Sequence, residues 1–285
     1  MKEKNGNQYA VITGASQGLG RAFALELAKR KYNLVLVSLP GQGLQQLSDH
    51  IIRKYRVFSC CYETNFSSNE NILALGNWLN THFNISILIN NAGIGGTKRF
   101  EEAPIDYLDN IIQVNVKATS LLTRQLLPNL KKQSRSYILN VSSIAAFSPV
   151  GYKTVYPASK AFIHSFSRGL NAELKDSNVF VSVMNPGAMA TSEEIISRIE
   201  RQGLIGKFTL LKPDKVASYS IDRLFKQDTV IMLNPFTWLV SALLPIWIKL
   251  PLMTKIIKRE IDHEESICNR RKQPAWNQPG SFVNG

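Results

Sequence analysis

The sequence predicts a doubly wound α/β fold, a parallel sheet of about seven strands with helices on both faces. Apolar, β-branched runs recur along the chain, and the stretches between them are long enough to form helices. These runs are apolar throughout rather than alternating with polar residues, which is typical of parallel strands buried on both faces. Right-handed crossovers then distribute the helices to the two sides of the sheet.

The same patterns locate each element. We predict strands at residues 9–13, 33–38, 57–62, 86–90, 136–141, 179–184 and 229–233. We predict helices at residues 18–31, 44–55, 69–83, 108–131, 155–175 and 213–226. Several of these helices begin with a polar residue and end with a basic one, which suits the helix dipole.

Composition and length indicate one large domain with an appendage. The chain has 285 residues, of which 44% are hydrophobic and 19% charged, and this excludes both wholesale disorder and a small disulfide-stapled scaffold. We predict a single α/β domain over 1–233, with a loop at 188–212 that forms a substrate lid around a short helix near 193–202. An apolar and basic extension occupies 234–285, and from 270 onward it is predicted to be a mobile tail.

Charge and cysteine usage narrow the partners and the compartment. The 34 Lys and Arg against 21 Asp and Glu give a net charge of +13, which favours an anionic partner without choosing among nucleotide, membrane and nucleic acid. The polar start offers no signal peptide, so we expect a cytoplasmic protein. Cys60, Cys61 and Cys268 have neither disulfide-framework nor metal-ligand spacing, and the four histidines are scattered. We expect reduced thiols and no metal.

A glycine-rich turn follows the first predicted strand. The segment Thr13-Gly14-Ala15-Ser16-Gln17-Gly18-Leu19-Gly20 leads directly into a predicted helix. Glycines at such a turn let the backbone approach a pyrophosphate, whose charge the helix N-terminus stabilises. The spacing is Gly-x3-Gly-x-Gly rather than Gly-x-Gly-x-x-Gly, and a plain strand-to-helix turn is the alternative. Its position in the chain favours dinucleotide binding.

A tyrosine and a lysine share one face of the helix predicted at 155–175. Tyr156 and Lys160 are four residues apart, so their side chains project together, and a nearby cation lowers the pKa of a phenol toward that of a general acid/base. Such a pair alone is common and carries no function. Further polar segments lie at or just beyond strand ends, where open α/β sheets bind ligands, or within a helix-forming run: Ser143, Asn90-Asn91-Ala92-Gly93, Asn115 and the segment 186–191.

On these motifs the sequence resembles the short-chain dehydrogenase/reductase family, over roughly residues 9–233. The resemblance implies a Rossmann-type fold and an NAD(P)-dependent oxidoreductase that transfers a hydride between a nicotinamide and a ketone or secondary alcohol. It also implies a catalytic tetrad of Asn115, Ser143, Tyr156 and Lys160, all of which are present.

The resemblance assigns each member of the tetrad a role. Tyr156 gives the substrate oxygen its proton, and Ser143 hydrogen-bonds that oxygen. Lys160 lowers the pKa of Tyr156 and holds the nicotinamide ribose, while Asn115 fixes a water that connects Lys160 to solvent. No metal is required, because preorganised donors stabilise the charge that develops on oxygen.

The resemblance also implies a set of cofactor contacts. The end of the second strand lacks the acidic residue that holds the ribose of NAD, and Ser38 there can hydrogen-bond a 2′-phosphate. We therefore expect NADP(H) rather than NAD(H), although the arginine that NADP-preferring relatives often carry is also missing. Asn65 stands where relatives often have an adenine-contacting Asp. The expected contacts are Gly14, Ser16, Gln17, Gly18, Leu19, Gly20, Ser38, Asn65, Asn91, Ala92, Gly93, Tyr156, Lys160, Pro186, Gly187 and Thr191.

An apolar segment at 236–253 precedes a basic flank at 255–259. It approaches the length of a membrane span, about 20 residues, but Pro245, Lys249 and Pro251 interrupt it. Three interpretations stay open: a wall of the substrate pocket, a dimer contact, or peripheral membrane contact through 236–259 with cations toward anionic lipid. The first two are favoured.

The apolar lid and extension lead us to expect a bulky apolar ketone, such as a 3-keto lipid or a steroid, as the substrate. No nucleic-acid partner is expected. Relatives are often dimers or tetramers, so the resemblance implies a homo-oligomer built through the helices predicted at 108–131 and 155–175. The alternative is a non-catalytic protein that senses nucleotide or docks at a membrane, supported by the charge of +13 and the apolar extension.

Overall fold

The computed structural model describes residues 8–187, 189, 211–233 and 245–272, with the backbone alone at 260 and 263–272. Within this part of the chain, seven parallel strands form one sheet in the order β3-β2-β1-β4-β5-β6-β7. The strands are β1 Tyr9–Thr13, β2 Asn33–Ser38, β3 Ser59–Glu63, β4 Ile85–Asn90, β5 Ser136–Val141, β6 Val179–Asn185 and β7 Val230–Met232. The predicted Rossmann-type fold is confirmed, and its strand order reverses between β1 and β4.

Helices cover both faces of the sheet. Successive residues of β1 show the division, since Ile12 belongs to the hydrophobic core on one face of the sheet and Val11 to the core on the other. The helices are α1 Gly18–Lys29, α2 Leu44–Tyr55, α3 Asn69–His82, α4 Ile105–Ile112, α5 Ala118–Lys131, α6 Val155–Glu173, α7 Pro213–Phe225 and α8 Ile246–Lys272. Burial on both faces explains why the central strands are largely apolar, whereas the edge strand β3 is only partly buried.

The helix predicted at 108–131 is wrong in its start and its regularity. The helical run begins earlier, at Ile105 directly after Pro104, and a π-helix at Gln113–Lys117 separates α4 from α5. A π-turn inserts an extra residue into the helix and occurs frequently at functional sites. Here Asn115 lies within it and is 1% exposed. The apolar periodicity did not reveal the inserted residue.

The C-terminal region is more helical than the sequence predicts. Helix α8 contains Pro251 and extends to Lys272, into the first three residues of the predicted tail. Residues 273–285 lie outside the described residues, and the mobile tail stays a prediction. Most of the predicted lid and its short helix also lie outside them, although Met189 and Leu211 form a parallel bridge at its base. Among the described residues, no helix is long and apolar enough to cross a membrane. The predicted domain boundary at 233 stays a prediction.

Gly20 allows helix α1 to begin close to the end of β1. A Cβ at Gly20 would collide with the carbonyl oxygen of Gly14 and lie 2.6 Å from the side-chain nitrogen of Asn91. Both obstacles are fixed, since one is backbone and the other is itself hydrogen-bonded to the carbonyls of Thr13 and Gly14. A larger residue at position 20 would therefore push α1 away from the sheet.

We expect Gly20→Ala to lower the free energy of unfolding by about 1–3 kcal/mol, because the added methyl group overpacks this contact. Gly169→Ala in α6 is the matched control, since a Cβ there would meet no atom within 4 Å. It should raise the stability by roughly 0.5–1 kcal/mol, because alanine restricts the unfolded chain. Urea denaturation measures both, and a Gly20→Ala protein as stable as the wild type would contradict the packing argument.

Candidate active site

Two strand ends are joined at the point where the strand order reverses. The Thr13 hydroxyl accepts from the amides of Asn91 and Ala92, at 3.0 Å each, and donates to the Ile89 carbonyl at 3.3 Å. The Asn91 side chain donates to the carbonyls of Thr13 and Gly14, at 2.9 and 3.1 Å. These bonds connect the glycine-rich turn after β1 to the end of β4, so the edge of the sheet where ligands bind is rigid.

The glycine-rich turn fits the phosphates of a dinucleotide. Gly14 and Gly18 have φ of +65° and +53°, the left-handed region that favours glycine. The N-cap residue Gln17 makes no side-chain cap, and the first turn of α1, which begins at Gly18, has no acidic residue. The amides of that turn are therefore not occupied by a capping side chain and can donate hydrogen bonds to an anion. The sequence motif of this turn and its backbone geometry both favour binding of a phosphate group.

Other expected cofactor contacts are engaged in local hydrogen bonds. Ser16 donates to the Gln42 side chain at 2.7 Å, and buried Ser38 donates to the Leu39 carbonyl at 3.0 Å. The Asn65 side-chain oxygen accepts from the Ser67 amide, forming a turn ahead of α3. Leu19 is buried on the inner face of α1, and Pro186 and Gly187 follow β6. Thr191 lies outside the described residues.

Glu63 is a candidate cofactor residue that the sequence analysis missed. It ends β3 and pairs in register with Ser38 at the end of β2, with its side chain exposed. The strand pairing therefore puts a carboxylate beside the position that distinguishes the two nicotinamide dinucleotides. Only the pairing of β2 with β3 brings it there, because the two residues are far apart along the chain.

Lys160 belongs to α6, and its buried side chain reaches the end of β5. Its Nζ donates to the Val141 carbonyl at 2.9 Å and lies 5.9 Å from the centre of the Tyr156 ring. Burial lowers the pKa of Lys160 from 10.5 to about 8, because the charged ammonium loses its hydration. The side chain thus changes protonation state near neutral pH.

Tyr156 and Ser143 are in direct contact. Burial raises the pKa of the Tyr156 phenol, and its hydrogen bond with the Ser143 side chain acts in the opposite direction. The net shift is upward, whereas the sequence analysis expected Lys160 to lower this pKa. The reason is geometric, since the ammonium lies over the ring while burial removes water from the hydroxyl. The Ser143 hydroxyl also accepts from the Ala145 amide at 3.1 Å, which orients it.

Asn115 fixes the loop that passes in front of Lys160. Its side-chain oxygen accepts from the Ile94 amide, and its nitrogen donates to the Ile94 carbonyl and the Ser159 hydroxyl, all at 2.9 Å. Gly93 lies between Asn115 and Lys160, since a Cβ there would be 3.2 Å from Oδ1 of the first and Nζ of the second. The structure thus brings all four tetrad residues together, while their catalytic roles stay predictions.

Several polar residues that support the site have no individual role in the sequence prediction. The Ser142 hydroxyl donates to the Lys160 carbonyl at 2.7 Å, and the Ser159 hydroxyl donates to the Tyr156 carbonyl at 2.7 Å. Asn90 and Asn140 are partners in neighbouring strands and hydrogen-bond at 2.8 Å. In the sequence, each of these asparagines stands at a similar position in an otherwise apolar strand, a pattern that could have predicted their pairing. Their buried side chains also hydrogen-bond Thr123 and Ser167, and the bond between them joins β4 to β5 beneath the site.

The cysteines and the possible metal ligands of the described residues form no site of their own. Within the described part of the chain, no group of three His, Cys, Asp or Glu residues could hold a metal ion. Cys60 and Cys61 are free thiols, and burial raises the pKa of Cys60 to about 11, which keeps it protonated and unreactive. The Tyr156 phenol, the Ser143 hydroxyl and the Lys160 ammonium suit proton transfer to the oxygen of a substrate.

We expect the depressed pKa of Lys160 to appear in the pH dependence of stability. Between about 8 and 10.5 the unfolded lysine keeps its proton while the folded one has lost it, so stability rises with pH. Relative to Lys160→Met, the wild type should gain up to about 1.4 kcal/mol per pH unit across this window. Urea denaturation at a series of pH values measures it, with Lys131→Met as an exposed control. Parallel curves for wild type and Lys160→Met would contradict the burial of a charged group.

Comparison with known proteins extends these observations to a family. A family model described as short chain dehydrogenase matches residues 8–199. The very-long-chain 3-oxoacyl-CoA reductase of Anas platyrhynchos is 36% identical over 194 residues, which are 67% of this chain and 62% of the relative. The chain thus spans about six-tenths of the length of that relative.

Two solved structures share the fold. The L-sorbose reductase of Gluconobacter frateurii, complexed with NADPH and L-sorbose, has a TM-score of 0.72 and 25% identity, over 81% of this chain and 97% of its own. The 3-ketoacyl-(acyl-carrier-protein) reductase of Brucella melitensis, complexed with NADH, has a TM-score of 0.68 and 26% identity, over 80% and 97%. The family expected from the sequence motifs is confirmed: the chain belongs to the short-chain dehydrogenase family.

Proposed function

We propose that the chain is an NAD(P)-dependent oxidoreductase that interconverts a ketone and a secondary alcohol. The single observation that carries the proposal is the convergence of Ser143, Tyr156 and Lys160 beside the glycine-rich turn. Family membership supports it further. The nicotinamide, when bound, supplies or accepts the hydride.

Residues of this chain donate the proton to the substrate oxygen and then replace it. The Tyr156 hydroxyl gives its proton to the substrate oxygen during reduction, and the Ser143 hydroxyl holds that oxygen in place. Lys160, with a pKa of about 8, can take and return a proton in the working pH range and so supports reprotonation of the phenol. Lys160 is buried, and Tyr156 and Ser143 are partly buried, so access of water is restricted and hydrogen bonds to a developing oxyanion are strengthened. Asn115 keeps the loop over Lys160 in position.

The cofactor we propose is NADP(H) in preference to NAD(H). The glycine-rich turn with Gly14, Gly18 and Gly20 would hold the pyrophosphate. Ser38 in place of an acidic residue, and the positive net charge, favour a ribose that carries a 2′-phosphate. Exposed Glu63 beside Ser38 opposes it. The two similar structures are complexed with NADPH and with NADH respectively, so both cofactors belong in the test.

The substrate we propose is a bulky apolar ketone, with a 3-oxoacyl compound as the first candidate. The duck relative is a very-long-chain 3-oxoacyl-CoA reductase by name. A small pocket beside Tyr156 is lined by the basic side chains of Lys98 and Lys153 together with apolar and aromatic ones. The apolar and aromatic side chains would contact a hydrocarbon substituent next to the reacting carbonyl. These include Tyr107, Leu108, Ile111, Tyr152 and Val155.

The organisation of the chain follows from the same proposal. Residues 1–233 would form the catalytic domain with 188–212 as its lid, and 234–285 would be the extension. The exposed side of α6 supports a homo-oligomer. Phe162 is 41% exposed there and stacks on Phe166, with ring centres 5.8 Å apart. A cytoplasmic location stays a prediction.

A ketone panel graded in chain length tests the activity. With purified protein, we expect NADPH oxidation to be fastest with long-chain 3-oxo compounds and slow with small polar ketones. Tyr156→Phe should lower kcat by about 10²–10⁴-fold, because the proton donor is lost. Tyr219→Phe on α7 is the matched control and should leave turnover unchanged, since that tyrosine is exposed and remote from the site.

Nucleotide binding, measured by fluorescence titration, accompanies every assay and separates two failures. Unchanged turnover in Tyr156→Phe would overturn the proposed chemistry. Tight nucleotide binding without turnover of any ketone would favour the non-catalytic nucleotide sensor instead.

The cofactor preference has its own test at the ends of β2 and β3. We expect Ser38→Asp to lower the ratio of kcat/KM for NADPH over NADH by about tenfold or more, because a carboxylate repels a 2′-phosphate and accepts a ribose hydroxyl. Glu63→Gln should raise the same ratio, since it removes the neighbouring negative charge. A wild-type ratio below one, unaffected by either substitution, would contradict the proposed preference.

A further inference from the structure

The start of α8 and the segment before it carry only positive charge. Over residues 246–259 the charged residues are Lys249, Lys255, Lys258 and Arg259, with no acidic residue among them. Residues 234–245 contain no charged residue and are mostly apolar. A stretch of 26 residues therefore combines apolar and cationic side chains without any carboxylate.

One face of α8 is already occupied by the body of the protein. Ile257 and Ile261 pack with Val150, and the Gly151 amide donates to the Thr254 hydroxyl at 3.0 Å. The Lys249 ammonium donates to the Phe147 carbonyl at 2.9 Å. This inner face holds the loop between Ser143 and Tyr156, so the orientation of the helix on the protein is set.

The opposite face of α8 presents apolar and basic side chains to the surroundings. Ile248, Leu252, Lys255 and Arg259 follow at intervals of four, three and four residues, so they share one side of the helix. All four are exposed, Leu252 by 54%, and neighbouring Trp247 is 73% exposed. Large apolar side chains grouped in this way mark an interaction surface. We call Trp247, Ile248, Leu252, Lys255, Lys258 and Arg259 the outer face.

We propose that the outer face docks on the surface of an anionic phospholipid bilayer. Its apolar side chains enter the acyl boundary, its tryptophan lies at the level of the headgroups, and its cations pair with lipid phosphates and carboxylates. A second copy of the chain is a poorer partner, because two such faces would oppose cation to cation. Asp262, the next position on this side of α8, is already paired with Arg99 at 3.1 Å.

Docking in this orientation has a consequence for the candidate active site. The inner face of α8 contacts the loop 147–151 directly, so the loop lies about one helix diameter, roughly 10 Å, from the lipid surface. An apolar substrate would then reach Tyr156 from the bilayer. This consequence rests on the proposed function, whereas docking itself does not.

Sedimentation of the full chain with lipid vesicles tests the docking. The wild type should sediment with vesicles of phosphatidylcholine and phosphatidylserine, and far less with phosphatidylcholine alone. Replacing Lys255, Lys258 and Arg259 together by Gln should weaken the partition coefficient about 100-fold, or about fivefold per charge. Trp247→Ser combined with Leu252→Ser should weaken it about tenfold or more.

A matched control has the same change in charge at the far end of α5. Lys131, Lys132 and Arg135 are exposed and lie away from α8, so replacing all three by Gln should leave vesicle binding near the wild-type level. Nucleotide binding by each variant confirms that it is folded. Because no step of the sedimentation assay needs turnover, a protein that binds vesicles but reduces no ketone would refute the proposed activity and keep the docking.

Three outcomes would overturn the proposal. The wild type fails to sediment with the anionic vesicles. The control loses as much binding as the outer-face variant, which would make the attraction one of net charge alone. The Trp247 and Leu252 double variant converts an oligomer to a smaller species in size-exclusion chromatography without affecting vesicle binding, which would identify the outer face as a contact between copies of the chain.

Discussion

The buried ammonium of Lys160 constrains the elements around it. It lies at the end of β5 and donates to the Val141 carbonyl at 2.9 Å. An isolated charge at that depth is costly, so its surroundings must satisfy it. Helix α6 is held against β5 by the bond from Ser142 to the Lys160 backbone, and Gly93 leaves room for the ammonium beside Asn115. The packing that meets this demand also brings Tyr156 to Ser143.

The site combines features that are locally unfavourable and that the rigid sheet maintains. Burial depresses the pKa of Lys160 to about 8, the π-helix interrupts the regular bonding between α4 and α5, and Asn115 is buried among hydrogen bonds. Each is stable only because parallel strands, with their ends joined through Thr13 and Asn91, hold the surrounding backbone. A buried ammonium and an irregular helix are features that occur frequently at functional sites.

Helix α8 connects the site to the surface of the protein. Its inner face touches the loop between Ser143 and Tyr156, while its outer face exposes Trp247 and Leu252 among cations. Sequence alone left a pocket wall, a subunit contact and a lipid contact open for this region. The position of the helix divides the roles between its faces, because a residue's place around the axis determines whether it meets the loop or the solvent.

Local patterns along the chain predicted the fold, the family and most of the candidate residues, although not Glu63. Uniformly apolar runs identify buried parallel strands, and the glycine turn with Tyr156 and Lys160 identifies the family, because these signals are local in the chain. Other features depend on contacts between residues distant in sequence or on an irregular backbone, and only the three-dimensional structure shows them. These features are the π-helix around Asn115, the pairing of Glu63 with Ser38, the upward pKa shift of Tyr156 and the orientation of α8.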